Sequence, residues 1–135
     1  MIISSPKTIV KISDTKLFAL AGNCKNFSQY IPEEVKDFCT TEDSCSFTIE
    51  NISRITLTIL ERIPYSYICY KADNDKNIPL YIKIKLESVS ENETNLEIEL
   101  NLEVPVFLKP LIQKPLQRFV EELSKKIKLN TETII

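Results

Sequence analysis

The chain has 135 residues, a length that suits one domain spanning 1–135. Its 17 basic and 19 acidic residues leave a net charge of -2, spread without the basic patch that nucleic acid would select. It contains no histidine, which removes the commonest acid–base group near neutral pH and the Ser–His and Cys–His nucleophile pairs.

Met1 to Pro6 lacks the basic lead and apolar run of a signal peptide. No stretch reaches the roughly 18 apolar residues of a spanning helix. These features lead us to expect a cytoplasmic protein without a transmembrane segment. Pro6 to Ser13 reads as a first strand, with Thr8, Val10 and Ile12 on one face. Asp14 is the expected N-cap of a short apolar helix over Thr15 to Ala21. Gly22 is the only glycine, and it stands where a left-handed C-terminal cap is wanted. Asn23 to Tyr30 reads as a second short helix, ended by Ile31-Pro32.

Six strands are then predicted. Glu34 to Thr40 comes first, and Thr41 to Ser44 is turn chemistry. Cys45, Phe47 and Ile49 alternate in the next, and Asn51 to Ser53 is another turn. Arg54 to Ile63 sets Ile55, Leu57 and Ile59 against Thr56 and Thr58, and Pro64 breaks it. Tyr65 to Ala72 is an aromatic strand with Ser66, Ile68, Tyr70 and Ala72 inward and Tyr65, Tyr67, Cys69 and Lys71 outward. Leu80 to Ser88 points Leu80, Ile82, Ile84 and Leu86 inward. The last strand alternates Leu96, Ile98, Leu100, Leu102 and Val104 with Glu97, Glu99, Asn101 and Glu103. That period belongs to a sheet with one wet and one buried face, and the short loops imply an antiparallel meander.

Pro105 to Lys128 reads as one long amphipathic helix. Leu108, Ile112, Pro115, Leu116, Phe119, Val120, Leu123 and Ile127 form its apolar face. Pro115 predicts a kink, or a helix proper that starts near it. A half-wet sheet followed by such a helix must bury its dry side on that helix.

Cys24, Cys39, Cys45 and Cys69 form no CxxC pair, and no metal or cofactor is expected. Cys39 and Cys45 are candidate neighbours across a hairpin, and small buried thiols are the expected state of the set.

The order of elements resembles the helix-grip fold of the START-like, or SRPBCC, superfamily. The resemblance rests on Thr8-Ile9-Val10-Lys11-Ile12 followed by Asp14 to Phe18, on Asn26-Phe27 through Tyr30-Ile31-Pro32, on Glu61-Arg62-Ile63-Pro64, and on Pro110-Leu111-Ile112 through Leu123. It implies an α+β fold: a curved antiparallel sheet of about seven strands wrapped on a long C-terminal helix, with two short helices after the first strand. The glycine-rich loop between early strands that some members carry is absent here. No catalytic motif of the superfamily carries across.

The resemblance implies an apolar small molecule or lipid held between sheet and helix. The candidate lining is Ile49, Leu57, Tyr70, Ile82, Ile84, Ile98, Leu100, Ile112 and Phe119. The same residues suit a filled core. The Tyr70 hydroxyl either orients a ligand or rests on a backbone carbonyl. A cyclase or dehydratase would need Tyr70 with Asp37, which shares a strand face with Val35 and Cys39, or with Glu61, in phase with Ile55, Leu57 and Ile59. A protein-interaction module would use the outward Tyr65 and Tyr67 beside Tyr81, or the Lys125, Lys126 and Lys128 helix end.

Overall fold

A computed structural model describes residues 1–23, 35–41, 44–49 and 53–132. Its strands are β1 (Ile2–Ser4), β2 (Thr8–Val10), β3 (Val35–Thr40), β4 (Ser44–Ile49), β5 (Ser53–Ile63), β6 (Tyr67–Asn74), β7 (Leu80–Ser90) and β8 (Glu93–Leu102). Helix α1 (Asp14–Ala21) follows β2, and α2 (Lys109–Glu132) closes the described chain after a 3-10 turn at Val106–Leu108. All the strand pairings are antiparallel, in the order β1-β8-β7-β6-β5-β4-β3, and β2 also pairs with β8.

The alternation in β7 and β8 selects the buried face. Leu80, Ile82, Ile84 and Leu86 pair with Leu102, Leu100, Ile98 and Leu96, and all eight are buried. Lys83, Lys85, Glu97 and Glu99 fall on the opposite face. There Lys85 Nζ lies 2.9 Å from Glu99 and 3.9 Å from Glu97, and Lys83 lies 4.0 Å from Glu99. Opposite charges directly across a pair of strands steady the wet face without entering the core.

The sheet has eight described strands where the sequence predicts about seven. The extra one is β1, which precedes the expected start at Pro6. Pro6 has no N–H, and the chain leaves the ladder around it. Buried Ser5 bridges the break: its N–H donates to Ile98 O at 2.8 Å, and its Oγ accepts from Ile98 N at 2.9 Å.

Helix α1 is capped by Ser13, one residue before the expected Asp14; the Ser13 Oγ accepts from Lys16 N. Asp14 instead occupies the first turn, where a carboxylate suits the helix dipole. Gly22 ends the helix, but its φ of -86° is not left-handed. Space explains the glycine: a Cβ there would stand 2.9 Å from the Phe18 carbonyl oxygen. The predicted second short helix over Asn23 to Tyr30 falls almost wholly outside the described residues.

Two bulges change the phase of the outer strands. Lys36 pairs with Thr48 and Cys39 with Ser46, so Asp37 and Phe38 together oppose Phe47. Asp37 adopts φ 54°, a conformation Asp tolerates better than most residues. In β5 the register shifts between Ile59, opposite Tyr70, and Glu61, opposite Cys69. The aromatic strand begins at Tyr67 and not Tyr65; Tyr65 and Ser66 belong to the turn opened by Pro64, with Tyr65 at φ 66°.

Helix α2 packs on β1, β2 and β8. Leu116, Phe119, Val120, Leu123 and Ile127 are buried beneath it, as its apolar stripe predicts. Pro115 is exposed, against the expectation that it joins this stripe, and the helix runs on through it to Glu132. Three polar side chains of α2 tie the helix down. Gln117 Nε2 donates to Ser4 O at 2.9 Å, Lys128 Nζ donates to Ile9 O at 2.8 Å, and Ser124 Oγ lies 3.2 Å from Thr8 Oγ1.

Candidate functional site between the sheet and the C-terminal helix

The candidate site is the dry face of the sheet, roofed by α1 and α2. Strand alternation places Cys45, Phe47 and Ile49 of β4 there, with Ile55 and Leu57 of β5, Ile68, Tyr70 and Ala72 of β6, and the aliphatic rows of β7 and β8. Of the nine lining candidates, Ile49, Leu57, Tyr70, Ile82, Ile84, Ile98, Leu100 and Phe119 are buried in this one cluster, and Ile112 is half-buried against it.

Sequence reasoning missed an aromatic row at this site. Phe119 of α2 stacks on Phe47 of β4 with ring centroids 6.1 Å apart, and Phe47 stacks on Phe38 of β3 at 6.5 Å. Phe47 was legible in the Cys45-Phe47-Ile49 alternation. Phe38 was not, because only the bulge at Asp37 turns it toward the helix side.

Tyr70 is fully buried, and its hydroxyl donates a 2.7 Å hydrogen bond to the Ala21 carbonyl. That bond joins β6 to the last turn of α1. Next to it, Arg62 Nη2 donates to the Gly22 carbonyl at 2.9 Å, so two side chains hold the C-terminal end of α1 against the sheet. Among the described residues the other buried polar groups, Ser5, Thr94, Ser124 and Thr131, are hydrogen-bonded near β1, β2 and α2. Thr94 Oγ1, for example, donates to Ile12 O at 2.8 Å.

Asp37, Glu61 and Tyr70 do not converge. Tyr70 points to the dry face, whereas Glu61 pairs with Cys69 and lies exposed on the wet face. The one-residue shift after Ile59 is the reason, since it reverses the inward phase that Glu61 would inherit. Asp37 is exposed, and its carbonyl accepts from Arg54 Nη1 at 3.4 Å.

On the wet face, Tyr67 lies among Cys69, Glu61 and Glu99. Burial, the Cys69 side chain and the nearby negative charges push its phenol up to about 12. Lys85 is also raised, chiefly by its hydrogen bond to Glu99. The tyrosines expected to form an outer surface are dispersed. Tyr81 pairs with Lys71 while Tyr67 pairs with Lys85, and Tyr65 packs edge-on against Phe18 of α1 at 5.9 Å. The Lys-rich helix end is partly committed, with Lys125 3.5 Å from Glu122 and Lys128 on Ile9 O.

Cys39 and Cys45 lie on opposite faces, because Cys39 pairs with Ser46 and Cys45 with Thr40. Cys45 and Cys69 are buried thiols, but Cys39 is exposed, a departure from the expected buried set that follows from the same bulge. Among the described residues no group of three His, Cys, Asp or Glu side chains is placed to hold a metal ion.

Surface clefts bounded by described residues include three that flank the sheet and α1. One of about 510 Å³ lies among Lys11, Ile12, Ser13, Lys16, Asn92 and Glu93. One of about 360 Å³ surrounds the β6–β7 turn, and one of about 170 Å³ lies between Lys7 and the outer side of β7 and β8. None of these three is lined by the nine candidate residues.

Solved structures share this architecture along nearly the whole chain. A START superfamily protein from Mycobacterium smegmatis superposes with a TM-score of 0.77 at 14% identity, covering 99% of each chain. A conserved protein from Geobacillus kaustophilus gives 0.76 at 11% identity, covering 98% of this chain and 96% of that one. The Aha1 dimer from Colwellia psychrerythraea, solved in solution, gives 0.62 at 16% identity, covering 96% and 97%. The chain therefore has the START-like, helix-grip fold. No protein-family model and no curated protein matches it by sequence.

Proposed function

We propose that the protein binds a lipid or another apolar small molecule between the dry face of the sheet and α2, without catalysing its conversion. The observation that carries this reading is the uneven roofing of an almost wholly apolar face. From Leu116 onward α2 is sealed down on the core, whereas Leu108 and Ile112 are only half-buried and Leu111 is exposed. Pro115 lies at the border between these halves. It has no N–H to return to the Leu111 carbonyl, so the helix is weakest where the seal begins. In this reading the segment 109–115 lifts to admit the ligand, and Ile112, Phe119 and Phe47 close over it. Tyr70 contributes its ring to the wall while its hydroxyl holds Ala21.

The candidate lining contains no charged side chain, which suits an apolar ligand with little polar recognition. The proposed setting is the cytoplasm, where the thiols of Cys39, Cys45 and Cys69 would stay reduced. A cyclase or dehydratase reading draws less support, because its acidic candidates stand away from Tyr70.

Native mass spectrometry of gently purified protein, compared with the denatured mass, tests the proposal. A reproducible excess mass, or uptake of an added fatty acid or sterol, is expected. Identical masses with no uptake would overturn it.

A further inference from the structure

Among the described residues, the most exposed large apolar side chains cluster where the chain enters α2. Val106, Phe107 and Leu111 are 77%, 75% and 69% exposed. Phe107 lies in the 3-10 turn that leads into α2, and Leu111 lies four residues on, in the first turn of α2. Lys114 and Arg118 stand three and seven residues beyond Leu111, on the same side of α2, and both are exposed. Pro105 and Pro110 restrict the backbone of this entry and limit the entropy lost when it docks.

The charge of this stretch departs from that of the rest of the chain. Residues 104–120 carry Lys109, Lys114 and Arg118 and no acidic residue, in a protein whose net charge is -2. Apolar anchors bordered by cations fit the interface of an anionic bilayer, where the rings and aliphatics enter the headgroup boundary and the cations remain among the phosphates.

We propose that the entry to α2 docks on anionic phospholipid membranes, with Phe107 and Leu111 as anchors and Lys109 and Lys114 as the flanking charges. The docking is superficial, since no helix of the described residues is long and apolar enough to cross a membrane. This surface does not depend on the interior holding a ligand, and it is tested separately.

The test is co-sedimentation of the full chain with vesicles of phosphatidylcholine, with and without phosphatidylglycerol. Binding is expected to require phosphatidylglycerol and to weaken as salt is raised. Phe107→Ser with Leu111→Ser is expected to weaken binding about ten-fold or more, with an unchanged circular dichroism spectrum, because both side chains are already solvated. Lys109→Ala with Lys114→Ala is expected to abolish the preference for phosphatidylglycerol. Failure to sediment with any vesicle would overturn the proposal. So would wild-type binding by the Phe107→Ser, Leu111→Ser protein, or a dimer in solution that the same pair of changes dissociates.

Discussion

The hydroxyl of Tyr70 reaches across 49 positions of sequence to donate a 2.7 Å hydrogen bond to the Ala21 carbonyl. Ala21 is the last residue of α1, where helical carbonyls lose their i+4 partners. A strand side chain thus completes a helix end in the interior. Tyr70→Phe keeps the ring and leaves that carbonyl short of a donor. The expected cost is about 1–3 kcal/mol in urea denaturation. Affinity for a fatty-acid probe should be unchanged, because the hydroxyl serves α1; a selective loss of affinity at unaltered stability would show instead that it serves the ligand.

Gly22 accepts its neighbours only without a Cβ. The Phe18 carbonyl oxygen would lie 2.9 Å from that carbon, while the backbone φ of -86° is open to any residue. Gly22→Ala is expected to destabilise the protein by about 1–3 kcal/mol through overpacking. Gly22→Asn should be no better, because Asn relieves only a left-handed backbone. Thermal denaturation of the two variants decides between crowding and capping, and a stable Asn variant would contradict the crowding account.

Phe119 connects the helix to the far strands through Phe47 and Phe38. Phe119→Ala should lower stability by about 3–5 kcal/mol, the usual range for a buried phenylalanine. The space left lies next to the proposed ligand wall, so bound fatty-acid probe should recover part of the loss. The readout is the shift in melting temperature with and without probe.

Alkaline pH should weaken the fold through groups on the wet face. Burial raises the Tyr67 phenol to about 12 from an ordinary 10.0, so the native chain retains a proton that the unfolded chain has released. Its contribution is complete below about pH 10 and declines as pH rises toward 12. Lys85, also raised, adds a loss in the same direction above its ordinary 10.5. Tyr67→Phe should flatten the fall of urea midpoints between about pH 10 and 12. An unchanged slope would remove Tyr67 from this account.

Much of the architecture was legible because its signals are local. Period-two alternation in Leu80 to Leu86 and in Leu96 to Leu102 selects a buried face whatever strands pair with it, and Leu116 to Ile127 traces a helix stripe in the same way. Eight of the nine lining candidates are buried for that reason. Misplaced residues cluster at interruptions. Ser13 took the cap from Asp14, Pro115 turned outward, and Cys39 faced solvent.

By itself, then, the sequence determined the faces of the regular strands and of the amphipathic final helix, since these follow from side-chain periodicity along a continuous segment, and the antiparallel meander, since short loops join its strands. Only the tertiary structure decided that Phe38 rather than Asp37 meets Phe47, that Glu61 parts from Tyr70, and that Tyr70 closes α1. A bulge or a distant hydrogen bond is settled by the partner strand or helix, and a residue's phase beyond it depends on contacts that its own neighbours in sequence do not encode.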